Sequence, residues 1–324
     1  MNVFNCNKSW QYFPKYAELA DLRSTFFANC VFNSFLIYTT IALNIATIYA
    51  IHKTSIMAKT LKTLLLSLAF SDVAVGLFIQ PLYSFLLIKW LQVDNLNCNI
   101  SGLLNISGHF FSTASFLGVI AVSVDRLLAI HLHLRYQGLV THKRVVIVVT
   151  GIWVCSAFVS STILWGLRST QVLIVTVALA FGFIITFLVY IKIYLAVQRH
   201  RNQIQSMQIR NEAQSDEMKN FAVFIKSTVG IFYVFLVYLT CYFPIFITKA
   251  AILIYGSNST LKKLFLFSLT LMYLNSTLNP VIYCWKMRHI RHAIMDILWK
   301  MSCKRNQPSR VIYNRQSSVV HVDN

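Results

Sequence analysis

Residues 64–88 read LLLSLAFSDVAVGLFIQPLYSFLLI, a run of 25 positions in which Asp72 is the one charged residue. As a helix rising about 1.5 Å per residue, a run this long exceeds the roughly 30 Å of hydrocarbon in a bilayer. Strands crossing a membrane would instead show alternating segments of about 10 residues. Six further stretches have the same character, and the seven spans run Phe26–Ile51, Leu64–Ile88, Ile100–Ile130, Val145–Leu167, Val172–Val197, Phe221–Leu253 and Leu264–Trp285. Composition agrees: of 324 residues, 56% are hydrophobic and only 12% charged, against a charged share of about 25% in soluble domains. A soluble fold has no way to hide that much apolar surface. The predicted fold is an all-α integral membrane protein, a seven-transmembrane helix bundle followed by an amphipathic eighth helix.

The net charge of +19 does not point to a nucleic-acid partner, because the basic residues sit between the apolar runs. Lys and Arg mark the cytoplasmic side of a membrane protein. Counting the loops separately gives 18 on the side that includes Lys53, Arg135, Arg199 and everything after Trp285. Seven lie on the side of the N-terminus. The expected organisation is an extracellular N-terminus over 1–25, a seven-helix domain over 26–285, an amphipathic helix over 286–303 and a cytoplasmic tail over 304–324. Residues 1–25 lack a basic start followed by an apolar core, so they do not read as a cleaved signal peptide. The sequons at Asn7 and Asn258 fall on the outer side and are expected glycosylation sites. Seven scattered cysteines show no metal-ligand spacing, and Cys155, Cys241 and Cys284 read as small packing residues. Cys98 has Cys6 and Cys30 as alternative disulfide partners. No repeat of 20–50 residues is visible, which favours one bundle over an inverted-repeat transporter.

Polar residues inside the spans turn toward the bundle interior. Asp72 is the deepest, with Ser115, Asn275 and Asn279 able to meet it; the set either glues helices together or holds a cation or proton. The third span carries a 4-3-4-3 seam of Ser101, Asn105, Gly108, Ser112, Ser115, Val119, Val122 and Arg126, the pattern of a central crossing helix. It ends in the adjacent charges Asp125 and Arg126. Pro244 and Pro280 interrupt the sixth and seventh spans, where bends need neighbouring groups to satisfy freed backbone. On the sixth span Tyr242, Ile245, Phe246 and Lys249 share one face, and His109 lies beside Gly108. Together they suggest a pocket with a cationic rim. After Trp285, the stripe Met287, Ile290, Ile294, Ile297 and Leu298 among Arg and His residues marks an interfacial helix against anionic lipid, with Cys303 at its end a palmitoylation candidate.

These residues, in this order over 26–303, resemble the rhodopsin-like (class A) G-protein-coupled receptors. Asn44, Leu68-Ala-Phe-Ser-Asp72, Asp125-Arg126-Leu127, Trp153, Tyr190, Cys241-Tyr-Phe-Pro244 and Asn279-Pro-Val-Ile-Tyr283 stand in for the family's motifs. The resemblance implies a plasma-membrane receptor that binds an extracellular small-molecule, lipid or peptide ligand. It implies activation of a heterotrimeric G protein by helix rearrangement, with arrestin and a receptor kinase as further partners. The implied switch is Asp125, Arg126, Tyr190, Tyr242, Pro244, Asn279, Pro280 and Tyr283. Asp72, Ser115, Asn275 and Asn279 match the family's allosteric sodium site. The implied ligand pocket comprises Asn105, Gly108, His109, Ser112, Tyr242, Ile245, Phe246, Lys249 and Tyr273. A short, cysteine-free second outer loop resembles the melanocortin, lysolipid, cannabinoid and adenosine group, and the segment 134–141 is similar to melanocortin receptors. The chain departs from the pattern at Leu127, at Tyr242 and in a proline-free fifth span. No acid stands at the inner end of the sixth span, Asp216 and Glu217 lying farther out, so weak restraint of Arg126 and raised basal activity are expected. Gly108 stands where amine receptors carry Asp, and Tyr273 where visual pigments carry a Schiff-base Lys. Nucleophile–base sets, paired carboxylates and phosphate loops are absent, so no enzyme is expected. A non-retinal transporter or channel is the alternative.

Overall fold

The computed structural model describes residues 12, 14–54, 57–93, 98–132, 135–162, 164, 177, 180–195, 198–199, 215–287, 290–296 and 299, excluding the side chains of 98, 131, 137 and 215–228. All regular structure among them is helical. After a 3-10 turn at Tyr16–Glu18 come α1 (Arg23–Lys53), α2 (Lys59–Ala74), a π-helical turn (Val75–Ile79), α3 (Gln80–Leu91) and α4 (Cys98–Leu132). The short α5 (Tyr136–Leu139), α6 (His142–Ser161), α7 (Ala180–Leu195), α8 (Ser215–Tyr255) and α9 (Ser259–Lys286) follow. Six rods, with α2 and α3 joined as one, are long and apolar enough to cross a membrane, and α7 is a shorter apolar one. The seven expected spans therefore each have a helix. The fourth ends at Ser161 rather than Leu167, and the flanks of the fifth lie partly outside the described residues.

α1 shows why these rods assemble in lipid. Its buried residues Thr25, Asn29, Asn33, Leu36, Thr40, Asn44 and Thr47 recur every three or four positions, and most are polar. Phe27, Phe32, Phe35 and Tyr38 point outward. A soluble helix buries the opposite face; here the hydrocarbon takes the aromatic side chains and the bundle takes the amides and hydroxyls. The buried stripe meets α9. Asn33 donates to Thr270 at 2.8 Å, Thr270 to Asn29, and the Thr40 and Thr277 hydroxyls bond at 2.6 Å.

Proline bends are absorbed by neighbours. Pro280 lies inside α9 and cannot donate to the Ser276 carbonyl one turn back. Asn44 Nδ2 of α1 fills that role at 2.8 Å. The π-helical turn, which sequence reading did not anticipate, immediately precedes Pro81; one wider turn accommodates a ring that would otherwise strike the preceding carbonyl. Gly76 in that turn passes so close to α1 that a Cβ would stand 2.9 Å from Ile41 Cγ1.

Two apolar cores result. One, around Phe26, Tyr83, Trp90 and Leu266, closes the end that carries the N-terminus; the other, around Leu65, Val122, Tyr238 and Tyr283, fills the far end. α4 runs between them against α2, α6 and α8, the central helix expected from its seam. A further helix at 290–296 follows α9, with Met287, Ile290 and Ala293 turned into the far core and Met295 and Trp299 exposed. Ile297 and Leu298 lie outside the described residues.

Replacing Asn44 with Ala should leave the Ser276 carbonyl buried and unmet, at a cost of about 1–3 kcal/mol. In a Pro280→Ala background, where residue 280 regains its N–H, the same replacement should cost less. Thermal midpoints of the four purified proteins check this, and equal costs in both backgrounds would refute the satisfaction argument.

Candidate functional site

Three groups of residues lie along the bundle axis. At the far end, the last turns of α4 bury Asp125 and Arg126, each only 4% exposed. Arg126 Nε donates to Asp125 Oδ2 at 3.0 Å, and a second guanidinium nitrogen reaches the same oxygen. The other carboxylate oxygen accepts from the Tyr136 hydroxyl of α5 at 2.6 Å, and Thr60 of α2 lies 2.9 Å from that hydroxyl. Burial, and then the Asp125 carboxylate it donates to, push the Tyr136 phenol up to about 12, so it keeps the proton it shares. Asp125 of α4, itself held by Tyr136 of α5, is thus one restraint on Arg126. Asp216 and Glu217 belong to the stretch of α8 whose side chains are not described.

Tyr190 of α7 stands 3.2 Å from Ser123 of α4 and packs its ring on Phe232 and Phe235 of α8. Tyr283 of α9 is buried, and its hydroxyl has no hydrogen-bond partner among the described residues. These tyrosines join three helices around the buried pair.

At mid-bundle, α2, α4 and α9 bury Asp72, Ser115, Asn275 and Asn279. Asn279 Nδ2 donates to Asp72 Oδ2 at 2.9 Å. One oxygen of each of the four residues (Asp72 Oδ1, Ser115 Oγ, Asn275 Oδ1, Asn279 Oδ1) has no hydrogen-bond partner among the described residues. Orphaned buried oxygens are costly, and a set of oxygen donors that includes one carboxylate suits a hard cation. The four residues therefore fit a sodium ion.

Toward the N-terminal end, a cavity of about 180 Å³ opens between α4, α6, α8 and α9. It exceeds the roughly 150 Å³ cavity that takes up benzene in another protein. Asn105, Gly108, His109 and Ser112 line it from α4, and Tyr242, Ile245, Phe246 and Lys249 from α8, with Tyr273 from α9. All nine expected pocket residues are thus brought together. Sequence reading missed Phe116, Tyr238, Phe265, Leu269 and Met272, which also line it. The last three repeat at helical spacing on α9, a signal that was available. Tyr238 stacks on Tyr242 with ring centroids 4.0 Å apart, one helical turn away.

Residues 14–22 dock against the bundle. Leu19 and Leu22 are buried, Tyr12 rests on the cavity residue Phe265, and Asp21 pairs with Lys263. Glu18 reaches Lys262 at 2.5 Å, and the Lys262 side chain is fully buried. Burial by itself would raise the Glu18 carboxyl. The Lys262 hydrogen bond and the Lys15 backbone N–H outweigh it and hold the group below its usual range. Asn258 is exposed and caps α9 by accepting from the Leu261 amide at 2.8 Å. Cys30 is a free thiol, which corrects its candidacy as the partner of Cys98; Cys241 is buried, but Cys155 faces outward rather than packing. Asn7, Cys6, Cys303 and the tail lie outside the described residues.

Because the Glu18 carboxyl is depressed in the fold, its contribution to stability is present above pH 4.5 and is lost as pH falls below it. Glu18→Gln should lower the thermal midpoint at pH 7 by leaving a buried ammonium without its counter-ion, and should flatten the acid limb of the midpoint–pH curve. An unchanged curve would show the pair to be inert.

The family model described as "7 transmembrane receptor (rhodopsin family)" matches residues 43–172 and 165–283. The chain is 26% identical over 217 residues to the D(2) dopamine receptor A of Xenopus laevis, covering 59% of this chain and 48% of that one. It is 25% identical over 303 residues to adenosine receptor A2b of Gallus gallus, covering 82% of this chain and 86% of that one. The chain spans about half the length of the first relative. The crystal structure of squid rhodopsin superposes with a TM-score of 0.72 at 16% identity, covering 87% of each chain, a likeness of fold.

Proposed function

The chain belongs to the rhodopsin family of seven-transmembrane receptors, multi-pass membrane proteins, and from that premise we propose that it carries an external chemical signal to a heterotrimeric G protein. The N-terminus lies outside the plasma membrane and the tail inside. A ligand enters the cavity between α4, α6, α8 and α9, and the packing it favours is the one the G protein binds better. The carrying observation is the buried Asp125–Arg126 pair held by Tyr136 at the end opposite the cavity. α4 and α8 reach both places. α8 contains Pro244, two residues from the cavity residue Tyr242, and the proline is the point about which movement of its outer turn is transmitted to Phe232 and Phe235 against Tyr190. Arg126 then leaves Asp125 and enters a cleft lined by Tyr190 and Tyr283. Asn279 and Pro280 let α9 yield with it.

No bond is made or broken by the receptor itself; the work is stabilisation of one arrangement over another, and the matched relatives are receptors rather than enzymes. Asp72, Ser115, Asn275 and Asn279 would hold sodium, which supplies positive charge opposite the buried carboxylate. Gly108 offers no carboxylate for a ligand ammonium of the dopamine kind, so the amine of that relative is not carried over. Glycosylation at Asn7 and Asn258, palmitoylation at Cys303, and arrestin and kinase binding at the tail complete the reading.

Purified receptor should accelerate GDP release from at least one heterotrimer, and Arg126→Ala should abolish this. Tyr136→Phe removes the donor to Asp125 and should raise unstimulated exchange several-fold. Arg126→Ala exchanging as fast as wild type, or no exchange on any heterotrimer, would defeat the proposal. Replacing choline by sodium should raise the thermal midpoint of the wild type, and Asp72→Asn should erase that increment. A sodium increment that survived the substitution would place the ion elsewhere.

A further inference from the structure

Ser34, Ser107, Ser123, Ser156 and Ser268 each donate to the carbonyl four residues back on their own helix, which satisfies a hydroxyl without a neighbour. Ser84 of α3 and Ser115 of α4 do not, and both hydroxyls are buried without a hydrogen-bond partner among the described residues. Ser115 belongs to the mid-bundle oxygen cluster. Ser84 belongs to a second set. Both amide atoms of Gln80, one turn earlier on α3, and Oδ1 of Asn33 on α1 share its condition. Gln80 and Asn33 are fully buried, and Ser84 is 8% exposed.

Contacts one layer deeper show that these groups face one another. Thr40 of α1 lies between the π-helical turn and α9: a Cβ on Gly76 would stand 3.3 Å from Thr40 Cγ2, and the Thr40 hydroxyl bonds Thr277. Two turns toward the N-terminal end, the same faces carry Asn33 on α1, Thr270 on α9 and Ser84 on α3, where the wide turn adds one residue to the count. The Asn33–Thr270 bond fixes the α1–α9 half of that layer. On the other half, Trp90 packs on Phe26 with ring centroids 5.4 Å apart, so α3 stays against α1 to its end. Gln80 precedes Ser84 by four positions and shares its face.

We propose that this layer is a water-binding site, in which ordered water bridges Gln80 and Ser84 of α3 to Asn33 of α1. The chemistry of the set selects the ligand. Asn33 uses its Nδ2 on the Asn29 carbonyl and on Thr270, which leaves it an acceptor. Gln80 offers a donor and an acceptor, and Ser84 can be either. A cation would meet the Gln80 amide hydrogens and find no carboxylate among the three residues; an anion would meet two carbonyl oxygens. Water donates to Asn33 and Gln80 oxygens, accepts from Gln80 Nε2, and is small enough for a closed layer between helices. It does for α1 and α3 what the Thr270 hydroxyl does directly for α1 and α9. The site is separate from the mid-bundle cluster and stands whether or not a G protein couples.

The test uses the full chain in phosphatidylcholine nanodiscs. A brief X-ray pulse makes hydroxyl radicals from bound water, and these oxidise the side chains beside it. Tyr83 precedes Ser84 and is itself fully buried. It should be oxidised in the wild type, and several-fold less in Gln80→Leu, which removes both amide groups at similar bulk. Gln80→Leu and Ser84→Ala should each lower the thermal midpoint. The double variant should fall by less than the two shifts together, because either substitution alone already releases the water. Tyr83 left unoxidised in the wild type, or oxidised equally in Gln80→Leu, would overturn the proposal. So would a midpoint raised by Gln80→Leu, the sign of an amide that had met nothing, or strictly additive shifts, the sign of groups that share no water. If Gln80→Leu does not fold, the comparison of Tyr83 oxidation between wild type and Ser84→Ala decides in its place.

Discussion

A bilayer interior offers no water to a buried amide or carboxylate, and every feature of this bundle answers to that constraint. The carbonyl that Pro280 sets free in α9 is met by Asn44 of α1, 232 positions away in the chain. Asn29, Asn33 and Thr40 continue the same seam upward, so α1 and α9 are joined by hydroxyls and amides rather than by apolar packing. Along the axis inside that wall lie Asp72 and Asn279 at mid-bundle, and Asp125 and Arg126 at the far end. The same constraint that assembles the helices therefore gathers the groups that respond to charge.

Much of this was legible in the residues. Seven apolar runs gave seven helices because length and the lack of charge are properties of a segment by itself. The seam on the third span identified the central helix because its period is set by helix geometry, and Tyr242, Ile245, Phe246 and Lys249 followed from one face of the sixth span, whereas Tyr273 came only with the family resemblance. What escaped notice depends on pairs far apart in the chain or on neighbours' shapes. Glu18 and Lys262 are separated by 244 positions, and nothing near Glu18 advertises its partner. Tyr136 stands in the sequence only as part of a family-like segment, since its role requires α5 to fold back under α4. The π-helical turn before Pro81 had a signal in the proline, but which backbone adjustment relieves a proline is decided by what packs beside it. Cys30 lost its candidacy for a similar reason: spacing says nothing of whether two thiols face each other.

The two ends differ in how they hold charge, and the difference bears on the proposed transmission. At the N-terminal end, Glu18 and Lys262 join a segment to a helix across the chain, one turn before Phe265 on α9. At the far end, the two charges are neighbours on one helix, and Tyr136 and Thr60 tie the carboxylate into the bundle. Lys286 sits over the Trp285 and Tyr233 rings, and Gly230 leaves just enough room for it, so α8 and α9 are closed against each other there.

A buried ion pair is close to neutral in net stability, yet removing one partner from the other is expensive. Arg126 consequently has little to lose by exchanging Asp125 for another acceptor and a great deal to lose by leaving it for none. On the proposed reading, the receptor alone keeps the guanidinium on Asp125, since an opened cleft without an acceptor is the costlier state. A G protein that brings oxygen acceptors into the cleft removes that cost, and a ligand in the cavity lowers the cost of opening it. Neither needs to supply the whole difference. Their effects multiply because both favour the same arrangement, and by linkage the occupied cleft must tighten the cavity's hold on its ligand to the same degree.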